Sequence, residues 1–186
     1  MIVKTELNFG GRADDWGRRW RSLRHPLVHS VLNHLPSRLT GRIDPDNYPV
    51  YDSTEAVPGW IWRDSRFVVQ RFLAERRDGL FGIRRWFFLG DGEFAYRAFG
   101  PDPIVSGDDH QAWEQLDDLP AQLRTLRTQL GLDFGKIDYA EVDGELVIYD
   151  VNPAVSADGP VGSPLQGQMV KALIPGLESI LERAGL

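Results

Sequence analysis

Two strand-forming stretches joined by an Asp-Gly turn constrain the fold more than any other part of the chain. The stretch GLDFGKIDYAEVDGELVIYDVNPA, residues 131–154, alternates apolar and polar residues on both sides of Asp143-Gly144. Alternation with a period of two predicts strands, and Asp-Gly favours the tight turn of a hairpin. A second hairpin with GDG at its tip is predicted in GIRRWFFLGDGEFAYRAF, residues 82–99. The chain is therefore expected to contain antiparallel sheet.

The remaining elements are predicted from periodicity and from helix-terminating residues. We expect a strand in IVKTEL from residue 2, a short strand at 48–51, a buried strand at 66–73 and a turn at ERRDG, 75–79. We expect helices at 15–34 (divided by Pro26), from a cap at Asp117 or Asp118 with Pro120 near N1 to Gly131, and at 172–186. Strands come in clusters rather than in βαβ alternation, so the predicted class is α+β with largely antiparallel sheets.

Composition narrows the class of protein. A chain of 186 residues with 42% hydrophobic and 26% charged residues is expected to form one domain or two small subdomains. There is no apolar run long enough to span a membrane and no recognisable secretory signal, so no membrane partner is expected. The absence of cysteine excludes disulfides, thiolate metal sites and a cysteine nucleophile, and fits a cytoplasmic protein.

Charge argues mildly against nucleic-acid binding, with one local exception. The net charge is −6, whereas proteins that bind nucleic acid are usually basic. The segment RADDWGRRWRSLRHP, residues 12–26, interleaves arginine with tryptophan. One interpretation is that this segment binds a phosphate backbone or another anionic partner. The other is a solvated helix whose Trp16 and Trp20 pack on one side.

Acidic and amide side chains share faces of the 131–154 hairpin. Residues two apart in a strand point to the same side, which groups Lys136, Asp138 and Ala140 on one strand. The same rule groups Ile148, Asp150 and Asn152 on the other strand, so that Asp138 is expected opposite Asp150 and Asn152. Two carboxylates and an amide oxygen are ligands suited to Mg²⁺. The alternative is a solvated face on which acids happen to alternate.

The stretch DFGKIDYAEVDGELVIYDVNPA resembles the metal-binding end of the ATP-grasp superfamily, which includes D-alanine–D-alanine ligase and glutathione synthetase. The family pattern is an Asp on one strand and an acid-x-Asn on the next. Asp138, Asp150 and Asn152 match it, so the resemblance implies that these three residues hold Mg²⁺. Asp150 stands where the family usually has Glu, and its shorter side chain puts the bridging of two ions in doubt.

Other stretches resemble nucleotide-binding parts of the same superfamily. IVKTELNFGG resembles the phosphate-contacting strand and glycine-rich loop, RFVVQRFLAE the adenine hinge, and GIRRWFFLG the strand with a phosphate-side arginine. The implied phosphate contacts are Lys4, Gly10 and Gly11, with Arg85 (Arg84 as the alternative) and Lys136 near the transferred phosphoryl group. The implied adenine contacts are Gln70, Arg71, Phe72 and Leu73, and the implied ribose contact is Glu75 or Asp78.

The resemblance implies an ATP-grasp domain over residues 1–186, with subdomains of about 1–70 and 71–186 enclosing a nucleotide cleft. It also implies a ligase that uses ATP and Mg²⁺ to join a small-molecule or peptide carboxylate to an amine (or a thiol) through an acyl phosphate. The acceptor is not readable, because the candidate substrate segments, 35–60 and 155–168, carry no recognisable specificity motif.

The resemblance also implies features that this sequence lacks. Relatives carry a preceding substrate domain and a further phosphate-contacting lysine upstream of the Lys4 strand, whereas this chain has three lysines, Lys4, Lys136 and Lys171. Three explanations are open: a fragment of a longer protein, a minimal ATP-grasp module, or a degenerate domain. In the last case the chain is expected to bind nucleotide without ligase activity.

Overall fold

The computed structural model divides the chain into two compact units, Met1–Phe72 and Leu73–Leu186. It describes residues 1–5, 48–105, 110–153, 155, 158 and 160–185. The predictions for Gly10 and Gly11, for helices in 15–34 and for the Arg–Trp segment at 12–26 lie outside the described residues.

The first unit contains a two-stranded antiparallel sheet. Strand β1 (Ile2–Thr5) pairs with β2 (Phe67–Gln70), and a short 3-10 helix spans Ile61–Arg63. The predicted strand at residue 2 is confirmed. The strand predicted at 66–73 is wrong in length and burial, because β2 has four residues and none of them is buried. The strand predicted at 48–51 is reduced to one bridge between Val50 and Ile2.

The second unit is built on a six-stranded antiparallel sheet, with two helices among its described residues. Its central order is β6-β5-β4-β7-β8, and β3 pairs with the first residues of β4. This arrangement is α+β, and both predicted hairpins are confirmed. The strands are β3 (Glu75–Arg77), β4 (Leu80–Leu89), β5 (Gly92–Gly100), β6 (Ala112–Gln115), β7 (Phe134–Val142) and β8 (Glu145–Asn152). The helices are α1 (Ala121–Leu130) and α2 (Pro164–Ala184).

Turn chemistry explains one hairpin and corrects another prediction. Asp143 and Gly144 join β7 to β8 with φ of 54° and 81°, the positive values that an Asp-Gly turn supplies with little strain. The turn predicted at ERRDG is wrong, because its first three residues form β3 and only Asp78-Gly79 turns. Strand β6 was not predicted.

The helix ends differ from the predicted ones. Pro120 itself is the N-cap residue of α1, so neither Asp117 nor Asp118 caps this helix as predicted. Gly131 ends α1 in the left-handed conformation, as predicted. Helix α2 starts at Pro164 rather than at residue 172, because the Ser163 hydroxyl caps it by accepting from the Gln166 amide at 3.2 Å. Part of the predicted substrate segment 155–168 is therefore helical.

The two faces of the large sheet have different contents. One face, the α1 face, carries a core of Trp86, Phe88, Ala95, Ile137 and Tyr139 against Leu123 of α1. The opposite face, called the Arg85 face, carries Arg85, Phe87, Tyr96 and Asp138, as alternation predicts from the register. None of the helices in the described ranges has the length and apolar character needed to cross a bilayer.

Candidate functional site

A row of polar residues crosses four neighbouring strands on the Arg85 face. Tyr96 of β5 is the register partner of Arg85 in β4, Arg85 that of Asp138 in β7, and Asp138 that of Asp150 in β8. Two residues further along these strands, on the same face, Lys136 is opposite Asn152. Register partners in antiparallel strands lie side by side on one face. The structure therefore brings five predicted site residues together: Arg85, Lys136, Asp138, Asp150 and Asn152.

An irregularity next to Asp150 breaks the alternation of β8. The register shifts between Asp138 and Tyr139, so that Tyr139 pairs with Ile148 and Tyr149 is left as the extra residue of a β-bulge. The prediction that Ile148 shares a face with Asp150 is therefore wrong, because its partner Tyr139 belongs to the α1 face. Because of the bulge, the residues of β8 that share the Arg85 face with Asp138 and Lys136 are the ones that follow it, Asp150 and Asn152.

Asp138 lies between two cations. Its Oδ2 is 3.2 Å from Lys136 Nζ, and its Oδ1 is 3.5 Å from Arg85 Nε. Burial raises the pKa of Asp138 above its ordinary value, against the opposing attraction of Arg85 and Lys136. Beside it, the Asn152 amide donates to Asp150 Oδ2 at 2.7 Å, which leaves the amide oxygen of Asn152 to face away from that carboxylate.

Arg85 is held by groups of the protein itself. Its side chain is buried, and its two terminal nitrogens donate to the Tyr96 hydroxyl at 3.0 Å and to the Val105 carbonyl at 2.6 Å. Burial by itself lowers the pKa of Arg85, but the surrounding Tyr96, Asp138 and Asp158 outweigh it and leave the pKa above its ordinary value. Arg85 is thus a buried cation beside Asp138, with both terminal nitrogens already bonded to the protein.

Asp158 is a residue of this cluster that the sequence did not reveal. Its Oδ2 lies 3.4 Å from Arg85 Nε and accepts from the Tyr96 hydroxyl at 2.7 Å. Burial raises the pKa of Tyr96, which keeps this hydroxyl protonated as a donor. Asp158 follows β8 outside any strand, where alternation has no meaning, so no periodic pattern could have identified it.

The oxygen atoms of this cluster are of the type that hard divalent cations prefer. Asp138 Oδ1 is buried and accepts no hydrogen bond from the described part of the chain. The two paired carboxylates, Asp138 and Asp150, repel each other unless a cation lies nearby. Over the cluster, the carboxylates of Asp138, Asp150 and Asp158 outnumber the cations Arg85 and Lys136 by one. No group of three or more His, Cys, Asp or Glu side chains able to hold a metal exists among the described residues.

The other predicted phosphate arginine and one ribose acid are engaged with each other. Arg84 donates to Glu75 Oε1 at 2.7 Å and to Glu141 Oε1 at 2.8 Å. Glu75 is buried and also accepts from Arg97 at 3.1 Å and from the Glu141 amide at 2.8 Å. Both oxygens of Glu75 are therefore used within the sheet. Of the two predicted ribose contacts, Asp78 is the one with an exposed side chain.

The remaining predicted nucleotide contacts precede the large sheet in the sequence. Lys4 is in β1 opposite Val68, and Gln70 is the exposed last residue of β2. Arg71, Phe72 and Leu73 continue without regular structure. The Leu73 carbonyl, one of the backbone groups predicted to meet adenine, already accepts a hydrogen bond from the Tyr149 hydroxyl.

Tyr149 makes stability depend on pH in the alkaline range. Burial raises the pKa of Tyr149 to about 12, against an unfolded value of about 10. Between these values the folded protein keeps a proton that the unfolded chain loses, so stability falls as pH rises from about 10 to about 12. We expect Tyr149→Phe to cost about 1 kcal/mol at pH 7 through the lost hydrogen bond, and the gap to wild type to narrow at about pH 11. Urea unfolding at both pH values measures it, and an unchanged gap contradicts the assignment.

No family model matches the sequence, and no curated protein matches it.

Proposed function

We propose that the Arg85 face binds Mg²⁺ and nucleotide phosphates, and that the chain is an ATP-grasp domain of a ligase that activates a carboxylate as an acyl phosphate. The observation that carries the proposal is the convergence of Asp138, Asp150, Asn152 and Lys136 at one end of the sheet. The buried Oδ1 of Asp138 supports it, because this oxygen accepts no hydrogen bond from the described residues and its ion pair with Arg85 Nε is long, at 3.5 Å.

Each side chain has a role that follows from its position. Asp138, Asp150 and the amide oxygen of Asn152 would hold the ion, which when bound would neutralise phosphate charge. The Lys136 ammonium lies beside Asp138 and would turn toward a phosphate oxygen. Arg85 pairs with Asp138 from the neighbouring strand, so its part is to fix the carboxylate rather than to touch phosphate. The roles of Lys4, Gln70 and Asp78 stay predictions.

Ligation by this route requires no nucleophile from the protein. The carboxylate oxygen of the substrate attacks the γ-phosphorus, ADP leaves, and an amine then displaces phosphate from the acyl phosphate. The lack of cysteine agrees with this chemistry. The protein's contribution is positioning and charge neutralisation, which account for most of the catalysis in phosphoryl transfer.

A thermal-shift titration with ATP, with and without Mg²⁺, tests the proposal. A ligand that binds only the folded state raises its stability, so wild type should be stabilised by ATP with Mg²⁺. Asp150→Asn removes one carboxylate of the cluster and should abolish most of the Mg²⁺-dependent part of the shift. Asp143→Asn is the matched control: it makes the same chemical change at the exposed turn of the same hairpin, where Asn also accepts a positive φ.

The outcomes separate the parts of the proposal. If ATP causes no thermal shift in wild type, with or without Mg²⁺, the proposed nucleotide binding is wrong. If the thermal shift is the same with and without Mg²⁺ in both wild type and Asp150→Asn, the metal assignment is wrong. Nucleotide binding would still stand in that case. Loss of the shift in Asp143→Asn as well would show that the effect is not local to the cluster.

A nucleotide-binding module without ligation is the second candidate. It is favoured by the state of Arg85, the arginine predicted to contact phosphate, because both of its terminal nitrogens are bonded to the protein. This candidate expects the same ATP and Mg²⁺ shift but no ADP release with any carboxylate and amine supplied. ADP release that depends on both additions would favour the ligase.

A further inference from the structure

Helix α2 exposes a continuous apolar stripe. Val170, Ile174, Leu177 and Leu181 are 44%, 58%, 51% and 40% exposed. The buried residues of the same helix are Leu165, Met169 and Gly176. Successive helical residues are about 100° apart, so the stripe lies beside the buried line rather than in it. The apolar surface of α2 is therefore wider than the part that packs on the protein, and such surplus marks an interaction surface.

The spacing of the stripe is the same in both directions. Its steps are four, three and four residues, the spacing of a helix–helix seam, and its midpoint falls between Pro175 and Gly176. A two-fold dimer requires a surface complementary to itself. With two copies of α2 antiparallel, Ile174 meets Leu177 of the second copy, and Val170 meets Leu181 of the second copy.

The charged residues beside the stripe also favour antiparallel packing of two copies of α2. Lys171 and Glu178 are exposed, lie one residue after Val170 and Leu177, and so flank the same side of the stripe. Antiparallel packing sets Lys171 next to Glu178 of the second copy, and the two-fold axis repeats the pair. Parallel packing would set these two charges beside Gln166 and Leu173 instead, without any opposite charge.

We propose that this chain forms an antiparallel homodimer through the exposed stripe of α2. Pro175 interrupts the helical hydrogen bonding at the two-fold axis, so the contact is a crossing rather than a long coiled coil. The stripe spans about 17 Å of helix. A contact of this length is smaller than a standard interface, so the dimer is expected to be weak, with a Kd of about 1–100 µM.

Sedimentation velocity of the full chain over about 1–300 µM tests the dimer. Wild type should pass from monomer to dimer across this range. Leu177→Glu should raise the Kd at least about tenfold. Val161→Glu is the control, because Val161 is 96% exposed and lies outside the stripe, and it should leave the Kd unchanged. All of these side chains are exposed, and circular dichroism verifies that each variant folds.

A charge exchange tests the orientation. Lys171→Glu should raise the Kd about threefold to tenfold, and adding Glu178→Lys to it should restore the wild-type Kd. Restoration supports the antiparallel pair. A monomer at every concentration, a dimer insensitive to Leu177→Glu, or failure of the double exchange to restore the Kd would each overturn the proposal. None of these readouts depends on nucleotide binding.

Discussion

Gly176→Ala is expected to lower the free energy of unfolding by about 3 kcal/mol or more. A Cβ at this position would overlap the Leu89 carbonyl oxygen and lie 2.7 Å from the Gly92 nitrogen. These are backbone atoms of the β4–β5 hairpin, so no side chain can rotate away to make room. The helix would have to move off the hairpin, which also exposes the apolar residues between them.

Gly167→Ala is the matched control within the same helix. A Cβ there meets nothing within 4 Å, and alanine is a better helix former than glycine, so a gain of about 0.5–1 kcal/mol is expected. Urea unfolding of the three proteins gives both differences. A Gly176→Ala protein within about 0.5 kcal/mol of wild type would contradict the close approach.

The parts of the fold that are determined locally could be predicted from the sequence. The hairpins were predictable because Asp143-Gly144 and the GDG tip have the chemistry of tight turns. The Asp143-Gly144 turn sets the register of β7 and β8 from Val142–Glu145 to Tyr139–Ile148. Continued without a break, that register would place Asp138 opposite Tyr149, whereas the bulge shifts it by one residue and places Asp138 beside Asp150. Alternation and turn position therefore predicted the hairpins, but the pairing within the candidate site also depends on the bulge.

The missed features depend on contacts between residues far apart in sequence. Strand β3 is three charged residues held by ion pairs such as Glu75 to Arg84, and no apolar period marks it. The bulge at Tyr149 accompanies a hydrogen bond to Leu73. Asp158 lies in the site through a bond to Tyr96, which is 62 residues away. Local propensity has no information on such partners.

Burial of Arg85 has the second large consequence: Arg85→Met is expected to cost about 3–5 kcal/mol of stability. Methionine keeps most of the length of the side chain, so the loss is chiefly electrostatic. Without the guanidinium, Asp158 and Asp138 remain in a buried setting with one cation fewer, while Tyr96 and the Val105 carbonyl each lose a hydrogen bond.

A surface arginine provides the comparison. Arg124 binds both oxygens of Glu93 at 2.6 and 2.7 Å, but its side chain is 52% exposed. Water replaces the lost contacts there, so Arg124→Met should cost about 0–1 kcal/mol. Equal losses for Arg85→Met and Arg124→Met, measured by urea unfolding, would contradict the buried-charge account.

A double variant separates the charge from the packing of Arg85. Asp158→Asn removes one of the carboxylates that Arg85 neutralises, while its amide oxygen can still accept from Tyr96. If uncompensated charge causes the loss, Arg85→Met/Asp158→Asn will be more stable than Arg85→Met alone, because one fewer anion is buried. If lost packing causes it, the second substitution will add its own cost. The sign of this difference therefore decides whether the cluster is held together by its charges, which is the property that a cation-binding site on this face requires.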